Sequence, residues 1–100
     1  MAAHKGAGVM NKAEKFIILY LGKWPSIAKS ANAIESEAKA YGISHIKLIQ
    51  AYDSLEYRED RQKQRTDLIR QVTGMGQDGD FGFKLTQRGR MASKKLRGEI

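Results

Sequence analysis

Ala38-Lys39-Ala40-Tyr41-Gly42-Ile43-Ser44-His45-Ile46-Lys47-Leu48-Ile49-Gln50-Ala51 is the stretch on which the fold of this chain turns. A small residue, Ala38, is followed four positions later by a glycine, then six later by a large aliphatic, Leu48, and three later by another small residue, Ala51. Two short helices crossing at a tight turn need that order. The methyl group of Ala38 lets two helix backbones approach closely. Gly42 accepts the left-handed conformation that ends a helix. Ser44 can accept a backbone hydrogen bond and so cap the next helix. Leu48, Ala51, Tyr52 and Leu55 then share one face and point back at the first helix.

The pattern resembles a helix-turn-helix, the unit that commonly sets a helix in the major groove of DNA. About thirty residues on, Phe83-Lys84-Leu85-Thr86-Gln87-Arg88-Gly89-Arg90 is similar to the L-T-x-x-G-R element that closes the wing of many bacterial winged-helix regulators, among them the MarR and PadR families. In those proteins a wing strand ends, a threonine caps the next helix and the chain continues into a basic helix. The resemblance makes Thr86 the cap and Arg88 to Arg97 that helix. Residues 37 to 44 are also similar to winged-helix segments that end some plasmid and phage replication helicases. Together the motifs cover residues 34 to 97. They imply a mainly α fold with a small β-hairpin wing: a winged helix-turn-helix with a three-helix core plus a C-terminal helix. The domain is expected over residues 10–97, behind a flexible tail at 1–9.

The remaining elements follow from local signals. Asn11-Lys12-Ala13-Glu14 has the form of a capping box, and predicts a first helix from Lys12 to Leu21, stopped by Gly22 and then Pro25. Ala13, Phe16, Ile17, Tyr20, Leu21 and Trp24 follow a helical spacing that buries one stripe. Ile18 and Leu19 break that stripe, so the run 16 to 21 is apolar all round; a central helix in a small core explains this, and a strand stays open as the alternative. Residues 25 to 31 are expected as a loop, short helix or short strand. Asn32 and Glu35 repeat the capping pattern ahead of a second helix over 33 to 41. The third helix starts after Ser44 and runs through Leu55, with an extension to Tyr57 or beyond open. Residues 58 to 65 are charged and polar throughout, fitting an exposed helical extension or a loop. Strands are expected within 67 to 73 and over 81 to 85, joined by a tip with glycines at 74, 76 and 79.

At 100 residues the chain has room for one domain with a modest core. Eighteen Lys and Arg stand against eleven Asp and Glu, a formal net charge of +7 that favours a polyanionic partner. With no cysteine there is neither a disulfide framework nor a thiolate metal site, and a reducing cytoplasm is the expected setting. No apolar run approaches the roughly 18 residues of a membrane span, and residues 1 to 9 are too poor in hydrophobics for a signal peptide.

Catalytic constellations are thin. His4 and His45 are far apart and lack partners at ligand spacing, so no metal or other cofactor is expected. Asp78-Gly79-Asp80 lacks the downstream glutamate of a calcium loop, and turn chemistry accounts for it. Gly74-x-Gly76-x-x-Gly79 has dinucleotide-fingerprint spacing but neither the following helix nor the distal acid. No serine or threonine has a base nearby in sequence. The chain is therefore read as a binding protein rather than an enzyme.

The charge is unevenly spread. Residues 1 to 30 carry five lysines against one glutamate, and residues 83 to 100 carry six basic residues against one acidic. Residues 31 to 57, by contrast, hold two lysines against four acids. That balance is opposite to what a DNA-reading helix usually carries, but the helix-turn-helix resemblance implies that the third helix meets double-stranded DNA through Ser44, His45, Lys47 and Gln50. Phosphate contacts are expected from Arg61, Lys63, Arg65, Arg70 and Lys84 beside the wing, and from Arg88, Arg90, Lys94, Lys95 and Arg97 on the C-terminal flank. The expected function is that of a DNA-binding transcriptional regulator or replication accessory factor. Two alternatives stand beside it. Ile46 and Ile49, next to Asp53, suit a protein-interaction module on the same scaffold. The basic termini suit RNA or ribosome association. Ile18 and Leu19 on the first helix, or Ile46 and Ile49 on the third, are the candidate seam of a homodimer.

Overall fold

The computed structural model describes residues 10–56, 67–74 and 81–98. The expected tail at 1–9, the charged segment with Arg61, Lys63 and Arg65, and the wing tip at 75–80 lie outside the described residues. Within them the chain runs α1 (Lys12–Leu21), β1 (Lys29–Ser30), α2 (Ala31–Ala40), α3 (His45–Leu55), β2 (Ile69–Thr73), β3 (Phe81–Leu85) and α4 (Gln87–Leu96). The three strands form an antiparallel sheet in the order β1-β3-β2, so the chain is α-rich with a small β element.

α1 begins on the expected capping box. Asn11 Oδ1 accepts from the Glu14 amide at 2.9 Å, and Glu14 Oε1 accepts from the Asn11 amide at 3.0 Å. These bonds satisfy two of the helix's orphan donors. The buried stripe of α1 differs from the sequence expectation. Ala13, Glu14, Ile17, Ile18 and Leu21 face inward, while Phe16, Leu19, Tyr20 and Trp24 are only half-buried. Helical spacing tolerated either stripe. Packing against elements on two sides selected the one that includes Ile18, which is wholly buried. Glu14 enters the core because the Ser54 hydroxyl of α3 donates to its second oxygen, tying α1 to α3.

α2 starts two residues earlier than expected. Ser30, not Asn32, is its cap, accepting from the Ala33 amide at 3.1 Å. Ser30 is also the last residue of β1, so the strand's pairing with β3 decides which of two cap-competent residues is used. α2 then ends at the turn the sequence predicts. Gly42 has φ +74°, and the Ile43 amide reaches back to the Ala38 carbonyl at 3.1 Å. Nothing lies within 4 Å of where a Gly42 side chain would start, so a substitution there meets conformational strain alone. Gly42→Val is expected to cost more than about 1 kcal/mol, and Gly42→Asn distinctly less, in thermal melts.

Ser44 caps α3 through the Lys47 amide at 3.3 Å, and Leu48, Ala51, Tyr52 and Leu55 are buried as the spacing requires. The helix stops at Leu55, with Glu56 already extended at ψ 143°. Tyr57, the end of the longer helix that the sequence also allows, lies outside the described residues. β2 enters directly beside the end of α3, the Leu68 amide bonding the Leu55 carbonyl at 2.8 Å. The core lies where α1, α2 and α3 meet one face of the sheet, and Tyr52 stacks on Phe83 there with ring centres 4.3 Å apart. Burial, and after it the charge of Glu35, pushes the Tyr52 phenol well above its ordinary pKa, so it stays neutral. α4 starts on Thr86, whose Oγ1 accepts from the Gly89 amide at 3.0 Å. It packs back on α1, where Ser93 presses against Gly22.

Candidate nucleic-acid interface

α3 turns a continuous face to solvent. His45, Ile46, Lys47, Ile49, Gln50 and Asp53 are all exposed, opposite the buried Leu48, Ala51, Tyr52 and Leu55. The two isoleucines are the largest departure from an ordinary polar surface, at 65% and 47% exposed. Ser44 has its oxygen committed as the helix cap, which leaves its hydroxyl proton available to an outside acceptor.

His45 is not the isolated imidazole that its sequence neighbours suggest. Its Nδ1 lies 2.8 Å from Glu35 Oε2, so the first residue of α3 is tied to the middle of α2. Glu35 is ten residues away, on the far side of the turn, and only the crossing of the two helices brings it near. The contact directs Nε2, rather than Nδ1, toward an outside partner.

Among the described residues, the remaining candidate contacts do not gather into one patch with this face. Arg70 and Lys84 are register partners across β2 and β3, so their side chains leave the sheet on the same side. Phe83, the neighbour of Lys84, points to the Tyr52 side, which places the Arg70–Lys84 pair on the face turned away from α3. Arg90 and Lys94 of α4 and its C-cap Arg97 line a cavity of about 300 Å³ with Gly22 and Pro25, and no residue of α3 lines it. Arg88 and Lys95 are exposed and, seven residues apart, share a face of α4 outside that cavity.

Of the residues read as a dimer seam, Ile18 changes role. Ile18 is fully buried within its own chain, so it is unavailable to a second copy, and Ile18→Glu would strike the core rather than separate subunits. Leu19 is half-buried and faces a groove with Phe16 and Tyr20. That groove was hidden in the sequence because Phe16 and Tyr20 also fit the spacing of a core stripe. No helix among the described residues is long and apolar enough to cross a membrane.

The chain matches no protein-family model, no curated protein and no solved structure.

Proposed function

We propose that this chain is a small basic winged-helix protein that binds duplex DNA, as a transcriptional regulator or a replication accessory factor, with α3 laid along the major groove. The observation that carries the reading is the order of elements. A helix, a short strand, two helices crossing at a tight turn, a hairpin and a closing helix follow one another, and β1 joins the hairpin on the β3 side. In this order α1 and the sheet take the apolar face of α3 and leave the other face outward. The hairpin starts at the end of the same helix, as a wing would.

The side chains offered outward near the start of α3 are Ser44, His45, Lys47 and Gln50. Gln50 can pair with an adenine edge, and Lys47 with a guanine edge or a phosphate. Ile46 and Ile49 fit against thymine methyl groups. A net charge of +7 supplies the nonspecific attraction.

Titration against duplex DNA over a range of salt tests the proposal. With roughly four to six phosphates neutralised, log affinity is expected to fall against log salt with a slope of about −4 to −5. Gln50→Ala is expected to weaken a preferred site by about 1–3 kcal/mol and to leave the salt slope unchanged, whereas Lys47→Ala flattens the slope if it meets a phosphate. Absence of a complex at about 50 mM salt, or a flat salt response, removes the nucleic-acid reading.

The exposure of Ile46 and Ile49 beside Asp53 favours a second reading, in which the same face docks a protein. In that case Ile46→Ala abolishes the partner's binding and leaves any DNA affinity as it was.

A further inference from the structure

The outward face of α1 carries a pattern that DNA binding through α3 does not use. Lys12, Lys15, Leu19 and Lys23 recur at three- and four-residue intervals, with Phe16 and Tyr20 between them. With Tyr41 and Ile43 from the end of α2, these residues line a groove of about 460 Å³. Its floor is aromatic and aliphatic: Phe16 stacks on Tyr20 with centres 5.6 Å apart, and Tyr41 leans on Phe16 at 5.5 Å. Lys12, Lys15 and Lys23 rim it and none has a carboxylate partner among the described residues, while Glu37 is the one acid in the lining.

We propose that this groove docks an acidic, amphipathic helical segment of another protein, with apolar side chains laid on Phe16, Leu19 and Tyr41 and carboxylates meeting Lys12, Lys15 and Lys23. From Lys12 to Lys23 the face is about 16 Å long, roughly three turns of a docked helix. An apolar floor inside a cationic rim asks for apolar groups flanked by negative charge.

Three other occupants fit less well. A second copy related by a two-fold axis would bring α1 against α1 and set lysines against lysines. Residues 1–9 of the chain itself carry Lys5 and no acid. Single-stranded nucleic acid would need open ring faces to stack on. Here Phe16 and Tyr20 turn their faces to each other at 16°, and Lys29 Nζ lies 4.1 Å over the Trp24 ring. A phosphate backbone alone would leave the apolar floor uncovered.

The test uses the full chain and a fluorescein-labelled designed helix of about 14 residues, with leucines at i, i+3, i+4 and i+7 and glutamates elsewhere. A twin peptide with lysine for glutamate and an oligo-dT strand serve as controls. Saturable anisotropy with a Kd in about the micromolar range is expected for the acidic peptide alone. Lys12→Glu/Lys23→Glu should weaken it by more than about tenfold and admit the lysine peptide. Both positions are exposed and a glutamate at position 12 suits the first turn of α1, and an unchanged circular dichroism spectrum of the double variant shows that the fold is retained. Leu19→Ser should weaken the peptide by a similar factor with an unchanged circular dichroism spectrum, and leave duplex DNA affinity alone. The proposal is overturned by the absence of saturable peptide binding, or by binding indifferent to both variants. It also falls if oligo-dT occupies the groove in a manner Leu19→Ser abolishes, or if the chain sediments as a dimer that Leu19→Ser splits.

Discussion

Phe83→Ala is expected to lower the stability of the domain by about 3–5 kcal/mol, a large share of the roughly 5–15 kcal/mol that a domain of this size possesses. Phe83 sits on the central strand of the sheet and is 2% exposed. One side of its ring lies against Tyr52, the residue through which α3 rests on the sheet. Alanine leaves a cavity at the point where helix and sheet meet, and neither neighbour can collapse into it without losing its own contacts. Phe81 is the control. It lies two residues earlier on the same strand, and is 36% exposed at the end of the hairpin pair with Thr73. Phe81→Ala is expected to cost less than about 1.5 kcal/mol. Urea unfolding of the two variants checks both values, and equal midpoints would contradict the placement of Phe83 at the helix–sheet junction.

Gly89→Ala is expected to cost about 2–3 kcal/mol, more than removal of the neighbouring cap by Thr86→Ala at about 1 kcal/mol. A methyl group on Gly89 would stand well inside van der Waals contact with the Leu68 carbonyl oxygen and would crowd Leu85. That carbonyl cannot move aside freely, because it accepts the Thr86 amide at 3.0 Å. Thr86 Oγ1 donates to the Asp67 carbonyl at 2.8 Å while accepting from Gly89, and Asp67 already sits at φ +47°. The first turn of α4 is thus fastened to the strand entry at 67–68 by a short chain of bonds with little slack. Thermal melts of Gly89→Ala, Thr86→Ala and the exposed control Gln87→Ala should rank in that order of loss, with Gln87→Ala close to the parent.

The L-T-x-x-G spacing in Leu85-Thr86-Gln87-Arg88-Gly89 acquires its meaning from this junction. Leu85 is buried at the strand end, Thr86 is both cap and clasp, and Gly89 makes room for a passing carbonyl. The strand end and the cap are legible in the sequence, because both act within three residues. The Leu68 carbonyl that Gly89 accommodates is not, since it belongs to a distant stretch of chain. The same limit explains the earlier start of α2. Asn32 and Ser30 are equally good caps in isolation, and pairing of Ser30 with Gly82 chose between them. It also explains Phe16 and Tyr20, whose spacing fits a core stripe but which ended on the lining of a groove.

What the sequence by itself determined is the set of local decisions: where α1 and α3 begin, the left-handed turn at Gly42, the strand over 81 to 85, and the inward face of α3. Each rests on backbone hydrogen bonds or side-chain periodicity within a few residues, so the information is contiguous. What only the tertiary structure decided is which of the remaining surfaces belong together. It paired His45 with Glu35, turned Arg70 and Lys84 away from α3, sent Ile18 inward and gathered Lys12, Lys15 and Lys23 around an aromatic floor. These outcomes depend on how helices cross and which sheet face they cover. Packing sets that arrangement from contacts far apart in the chain, and no local pattern encodes it.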